Sequence, residues 1–479
     1  MPVLSDLEPR EVFAWFERLC AIPHGSHHAK AISDYLVAFA RERGLACRQD
    51  AANNVVIRKA ASAGYENAPV VMLQGHIDMV CEKDADCGKD METEGLDLFV
   101  DGDVIGARGT TLGGDDGIAV AMALAVLDAD DIPHGPLECV FTADEEVGMI
   151  GARALDASDL KAKYLINIDS EEGVLTVSCA GACRMACTLP VTRASFDGQT
   201  LRVRISGLAG GHSGEEIHKG RANANLLLGR ALDEMSRAGA LRLIRVSGGA
   251  KDNAIPREAE AVVRTGDAAA LRRAAEALAA ALRAEYHAAD GHITVTVTET
   301  DDGLTPMDAA STERAITLLL CAPNGVVEMN MDVPGLVQTS LNLGRLTSDE
   351  ASLRASFMIR SSINSQKNAV ASRLARLAEA LGGQTELDSD YSAWPYRPES
   401  PLRDRVAEVF YEQYGEKPRI AALHAGLECG ILSGKLPELD CISLGPDLTD
   451  IHTPRERLHI ASTERTWRLL LGTLKRLDA

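Results

Sequence analysis

The sequence predicts an α/β protein: a discontinuous α/β domain around a central, mostly parallel sheet, with a second α+β domain inserted into it. Three observations carry this expectation. In the first third, apolar runs of strand length alternate with helix-period segments; near residue 181 the texture changes to alternating strands and longer helices; beyond residue 396 the first texture returns. The expected boundaries are therefore 1–180 and 396–479 for the discontinuous domain and 181–395 for the insert. A chain of 479 residues exceeds what one core usually supports, which agrees with two domains.

Taken in order, amphipathic spacing predicts helices near 8–21 and 28–44. The runs "APVVMLQG", "LECVFTA" and "KYLINID" read as strands buried on both faces, with the alanine-rich helix "GIAVAMALAVL" between the first two. In the insert, "LRVRISG" and "ITVTVTET" alternate as half-buried strands do, and "NANLLLGRALDEMS" and "ALRRAAEALAAALRAEYHAA" read as helices. "SDYSAWPYRPESP", residues 389–401, breaks both periods with three prolines and reads as an interdomain connection. A helix near 401–414, the strand "DCISLG" and a helix near 462–476 complete the first domain.

The composition, 46% apolar and 25% charged, is that of a folded globular protein. A net charge of −21, from 49 basic and 70 acidic residues, argues against nucleic acid or an anionic membrane as partner, because both require a basic surface. The first residues lack a basic segment followed by an apolar core, and no apolar run reaches membrane-spanning length, so a cytoplasmic location is expected. Eleven cysteines, an odd number without framework spacing, fit a reducing compartment. Cys179, Cys183 and Cys187 have no histidine nearby and read as small buried hydrophobes rather than as a thiolate zinc site.

Acidic and histidine clusters follow the strand-like runs, where open α/β sheets bind ligands: "HID" at 76–78, "GGDDG" at 113–117, "DEE" at 144–146, "NID" at 167–169 and "GPDLTDIHTP" at 445–454. Each has an ordinary reading by itself: a structural histidine, a carboxylate capping a helix, a solvated turn. Five in one domain point instead to a metal site. Imidazole and carboxylate without thiolate suit zinc, manganese or cobalt in hydrolytic chemistry, and five ligands suffice for two ions if one carboxylate bridges. His76 and Asp78, two apart on a strand, share a face.

The ordered motifs "GHIDMV", "TTLGGDDGIAVAMAL", "FTADEEVGMIGA", "NIDSEE", "GGHSGEEIHKGRANAN", "DNAIPRE", "HAGLECGI" and "GPDLTDIHTP" resemble those of the M20 metallopeptidases, and among them the aminoacyl-histidine dipeptidases. The resemblance runs from near residue 5 to the C-terminus. It implies two zinc ions per subunit, with manganese or cobalt as substitutes, and a homodimer in which the inserted domain is lid and dimer surface. It further implies that Asp115 bridges the ions, that His76 and Asp169 complete one set of ligands, and that Glu146 and His452 complete the other. By the same resemblance Asp78 orients His76, Glu145 is the general base, and His212 reaches the partner's site to stabilise the oxyanion.

Asn253, Arg360 and Gly426 match positions expected to line the pocket for a dipeptide substrate. Arg360 has a carboxylate clamp and an ordinary core-edge arginine as equal readings. Asp116, often asparagine in the family, and Glu428 are left without a role. The implied activity is hydrolysis of unblocked dipeptides, Xaa-His included. An N-acyl amino acid amidohydrolase would share every ligand and the base, and a metal-binding regulatory module on an inactive fold is the alternative from another class, against which the intact Glu145 argues.

Overall fold

The computed structural model describes residues 2–333 and 335–477. The chain forms two compact units, one of residues 1–179, 394–422 and 427–479, the other of residues 180–393 and 423–426.

The first unit is built on an eight-stranded sheet. Its order is Ala46–Gln49, Val55–Lys59, Leu137–Thr142, Val71–His76, Tyr164–Asn167, Asp440–Ser443, Val174–Cys179 and Arg419–Leu423. The four central strands run parallel, in the register His76 with Thr142, Gln74 with Asn167, and Ser443 with Asn167. Antiparallel pairing takes over at Val55–Lys59 on one side and at Val174–Cys179 on the other, so the sheet is parallel at its centre and mixed overall. Every residue of the four central strands is buried, as their unbroken apolar runs require.

Helix Gly114–Asp128 is apolar all round, and residues 117–127 are all buried. It packs between the sheet and helix Arg10–Cys20, which contributes Phe13 and Phe16 to the same core. Contact is close enough to exclude side chains: a Cβ on Gly117 would lie 3.3 Å from the Phe16 ring, and one on Gly75 would lie 2.7 Å from both Ala119 Cβ and Asp116 Oδ2. Gly75 therefore lets the start of this helix come down beside the end of strand Val71–His76. Helices Pro401–Tyr414 and Ile460–Arg476 also belong to this unit, the former with Ser400 accepting from Arg403 N as its N-cap.

The second unit is a nine-stranded sheet whose paired strands, among the described residues, all run antiparallel. Alternate residues such as Leu201, Val203 and Ile205 join a core with helices Ala224–Ala238, Ala268–Glu285, Ala309–Cys321 and Asn364–Ala380. Arg202 and Arg204 between them face out. Cys179, Cys183 and Cys187 are buried free thiols. Burial pushes Cys183 and Cys187 up to about 11, which keeps them protonated. Among the described residues no helix is long and apolar enough to cross a membrane.

Candidate active site

Parallel strands in matched register end at one edge of the sheet, so the residues that follow them are gathered there. His76 is the last residue of its strand; Glu145 and Glu146, Asp169, and the loop holding His452 follow the three neighbouring strands. Asp115 arrives from the other direction, at the start of helix Gly114–Asp128, where residues 115 and 116 have non-helical backbone angles.

Asp115 is the centre of the arrangement. Its Oδ1 lies 3.0 Å from His76 Nε2 and its Oδ2 lies 3.4 Å from His452 Nε2. His452 Nε2 is also 2.9 Å from Glu146 Oε1. Ligand atoms of His76, Asp115 and Glu146 fall within 4.8 Å of one another, as do those of His76, Asp116 and Asp169. The five expected ligands thus converge, and Asp116 joins them. Asp116 is buried, and its Oδ2 accepts from the His76 backbone N–H at 3.2 Å.

Asp78 meets the His76 ring with its main chain and, at longer range, with its carboxylate. His76 Nδ1 meets the Asp78 backbone carbonyl at 2.9 Å, whereas the Asp78 carboxylate is 3.6 Å away. That carboxylate also accepts from Glu145 N at 2.9 Å, Glu146 N at 3.4 Å and Ser26 Oγ at 2.8 Å. The carbonyl holds the ring, and the carboxylate, within 3.6 Å of the same nitrogen, also pins the turn that carries the two glutamates.

The electrostatics follow from burial and like charge. Burial raises the Glu145 carboxyl well above the usual range, with Asp169, Glu428 and Glu146 adding repulsion. Burial and the Asp115 charge do the same to Asp169. Asp115 goes the other way: burial pushes it up, but hydrogen bonds with His452 and His76 prevail and hold it low. His76 is held high by Asp115 and Asp78 against the opposing effect of burial. Hydrogen bonds to Asp115 and Glu146 lift His452 to about 10. So many carboxyls beside two imidazoles can ionise together, with neutral imidazoles, only where cations balance them, and the oxygen and nitrogen donors suit hard or borderline divalent ions. The residues fit two such ions.

A buried polar chain underlies the ligands. Asn167 Nδ2 donates to Gln74 Oε1 at 2.7 Å, and Gln74 Nε2 and Thr142 Oγ1 both donate to Glu428 Oε2, at 2.5 and 2.6 Å. Sequence reasoning left Glu428 open, took Asn167 only as part of "NID" and gave Gln74 no role. The signal was present: each stands two residues before a ligand in an otherwise apolar strand, hence on the ligand's face.

The remaining expected residues lie in the second unit. His212 pairs with Ala254 in a short ladder, and its Nδ1 accepts from Glu215 N at 3.2 Å, which leaves Nε2 as the donor. Burial, then the charge of Arg360, hold this imidazole neutral. Arg360 is 6% exposed and its Nε has no hydrogen-bond partner. A Cβ on Gly214 would lie 3.1 Å from His212 Cε1 and 3.2 Å from Arg360 Nε, so the glycine leaves space beside both. Asn253 joins this region through its carbonyl, which accepts from Ser213 N at 2.9 Å. Gly426 follows buried His424, whose Nε2 lies 2.7 Å from Ser340 Oγ. Burial and Arg360 depress the His424 imidazole to about 3.

An α/β fold that gathers carboxylates and imidazoles at the carboxyl ends of parallel strands has the construction of a metal-dependent hydrolase. Residues 72–476 match peptidase family M20/M25/M40, and the chain belongs to this family of metallopeptidases. It is 38% identical over 484 residues to the cytosol non-specific dipeptidase of Escherichia coli K12, covering 100% of both chains. It is similar to the aminoacylhistidine dipeptidase of Vibrio alginolyticus, with a TM-score of 0.92 and 37% identity over 98% of this chain and 97% of that one. The aminopeptidase PepT of Bacillus cereus shares the fold, at a TM-score of 0.56 and 15% identity over 99% of this chain and 100% of its own.

Proposed function

We propose that this protein is a cytoplasmic metallodipeptidase that hydrolyses unblocked dipeptides, Xaa-His among them, and acts as a homodimer with two zinc ions per subunit. Manganese or cobalt would substitute. The observation that carries the reading is the single carboxylate of Asp115, with one oxygen 3.0 Å from His76 Nε2 and the other 3.4 Å from His452 Nε2. A bridging carboxylate needs that division of its oxygens. Full-length similarity to two dipeptidases supports the choice of substrate class.

On this reading His76 and Asp169 would hold one ion, Glu146 and His452 the other, and Asp115 would serve both. When bound, the cations supply Lewis-acid polarisation of the scissile carbonyl and make water a better nucleophile at neutral pH. Glu145 accepts the proton that water loses and delivers it to the departing amine. Burial among like charges raises its pKa, which makes its carboxylate a stronger base toward the proton that it takes up and later passes on. Asp78 fixes the base by holding the Glu145 and Glu146 amides. Glu146 is committed to His452 and takes no part in proton transfer.

His212, neutral and presenting Nε2–H, donates to the oxyanion that develops on the substrate, across the dimer interface. Arg360 binds the terminal carboxylate of the dipeptide through its planar fork, with Asn253 and Gly426 beside it in the pocket. The test is chelation followed by readdition of zinc, manganese or cobalt, assayed on a free Xaa-His dipeptide. Activity should vanish and return as two equivalents of metal are taken up. Undiminished hydrolysis by chelated protein would end the proposal.

A further inference from the structure

Asp115 interrupts the first turn of its helix: its backbone angles are φ −81° and ψ 103°, and Gly113, two residues earlier, is left-handed at φ 65°. Regular helix geometry therefore does not by itself fix the residue on which the proposed two-metal site turns. What holds it is Glu456, 2% exposed, whose carboxylate reaches the loop from more than 340 residues along the chain. Oε2 accepts from Leu112 N at 2.8 Å and Gly113 N at 3.2 Å; Oε1 accepts from Gly114 N at 2.9 Å and Asp115 N at 3.3 Å. Both oxygens are committed, each to two donors. The fit admits no side chain on Gly114, where a Cβ would lie 2.6 Å from Leu448 Cδ2 and 3.3 Å from Glu456 Oε1.

We propose that Glu456 is a positioning residue for the reaction, holding the backbone of residues 112–115 so that the Asp115 carboxylate stands between His76 and His452. The inference rests on the metallodipeptidase reading above. Glu456 lies four residues after His452 on one compact turn, closed by the bond from Glu456 N to Thr453 O at 3.0 Å. That turn holds Asp115 at two points. His452 Nε2 faces the side-chain oxygen at 3.4 Å, and Glu456 holds the main-chain nitrogen. A carboxylate suits the task because four converging N–H groups at a helix start present only positive charge. Glutamine would set an NH2 group against two of them.

A helix cap alone would affect folding and leave the metals unchanged, so metal binding is the discriminating readout. Zinc affinity of the full chain is measured by chelator competition for wild type, Glu456→Gln and Glu456→Asp, together with kcat and KM on a free dipeptide. The expected result for Glu456→Gln is zinc binding weakened ~10–100-fold, as for other groups that orient metal ligands, with kcat reduced and KM little changed. Glu456→Asp keeps the charge but loses reach, and should fall between; it carries the test if the glutamine variant does not fold. Variants that melt earlier yet match wild type in zinc affinity and kcat would overturn the inference and leave the metallodipeptidase reading intact. Wild-type protein that binds no zinc would remove both.

Discussion

Replacing Glu428 by glutamine should make the metal-free protein more stable at neutral pH and flatten part of its pH dependence. The Glu428 side chain is 1% exposed, its Oε2 accepts from Gln74 and Thr142, and its Oε1 has no hydrogen-bond partner. Burial raises its pKa from 4.5 to about 7. The folded state therefore binds this proton more tightly than the unfolded state does. Its contribution is fully present below pH 4.5 and is lost as pH rises through about 7, where the buried group must ionise. Each pKa unit is worth ~1.36 kcal/mol, so the whole effect is about 3 kcal/mol, most of which falls between pH 5 and pH 8. Glutamine keeps the acceptor and removes the titration.

The assay is urea unfolding with chelator present, at pH 5 and pH 8, followed by tryptophan fluorescence. Trp15, Trp394 and Trp467 all lie in the first unit, so the signal reports the unit that contains Glu428. Wild type should lose about 2–3 kcal/mol more than the variant over this interval. Parallel pH dependences for the two proteins would refute the assignment of a buried, uncharged carboxyl at this position.

Further outcomes follow from the same geometry. Glu145→Gln should lower kcat ~10²–10⁴-fold, the range for a general base, while elemental analysis still finds two metals; an active variant would move the base elsewhere. Gly75→Ala should destabilise the first unit by ~1–3 kcal/mol in thermal unfolding, because its Cβ would meet Ala119 and Asp116 at 2.7 Å; an unchanged melting temperature would contradict the close packing. Because Asp115 and Glu146 lift His452 to about 10, its imidazole is protonated in the metal-free protein at pH 7 and must lose that proton to ligate. Calorimetric titration of zinc in buffers of different ionisation enthalpy should show proton release, and affinity should rise with pH from 6 to 9; zinc binding without proton release would exclude His452 as a ligand.

The strand-end clusters were legible in the sequence because each closes an apolar run. His76, Glu146 and Asp169 announce themselves as polar residues where "APVVMLQG", "LECVFTA" and "KYLINID" end, and the parallel register carries them to one edge. The antiparallel flanks of the sheet were not, since Ala46–Gln49 and Val55–Lys59 are short and the latter's apolar part is three residues. The carboxylates that act on backbone amides were hidden for a physical reason. Asp78 binds the amides of residues 145 and 146, and Glu456 those of 112–115; an amide acceptor leaves no side-chain pattern at the other end of its bond. The additional hold of Asp78 on that turn is therefore silent in the sequence, and so is Glu456.

The most direct test of the central claim compares kcat/KM for a free Xaa-His dipeptide with that for the same compound acetylated at its N-terminus and for N-acetyl-histidine, using zinc-loaded protein. A dipeptidase predicts that hydrolysis of the free peptide dominates and that acetylation removes it. Faster cleavage of N-acetyl-histidine than of any free dipeptide would contradict the account and identify a deacylase built on the same metal ligands.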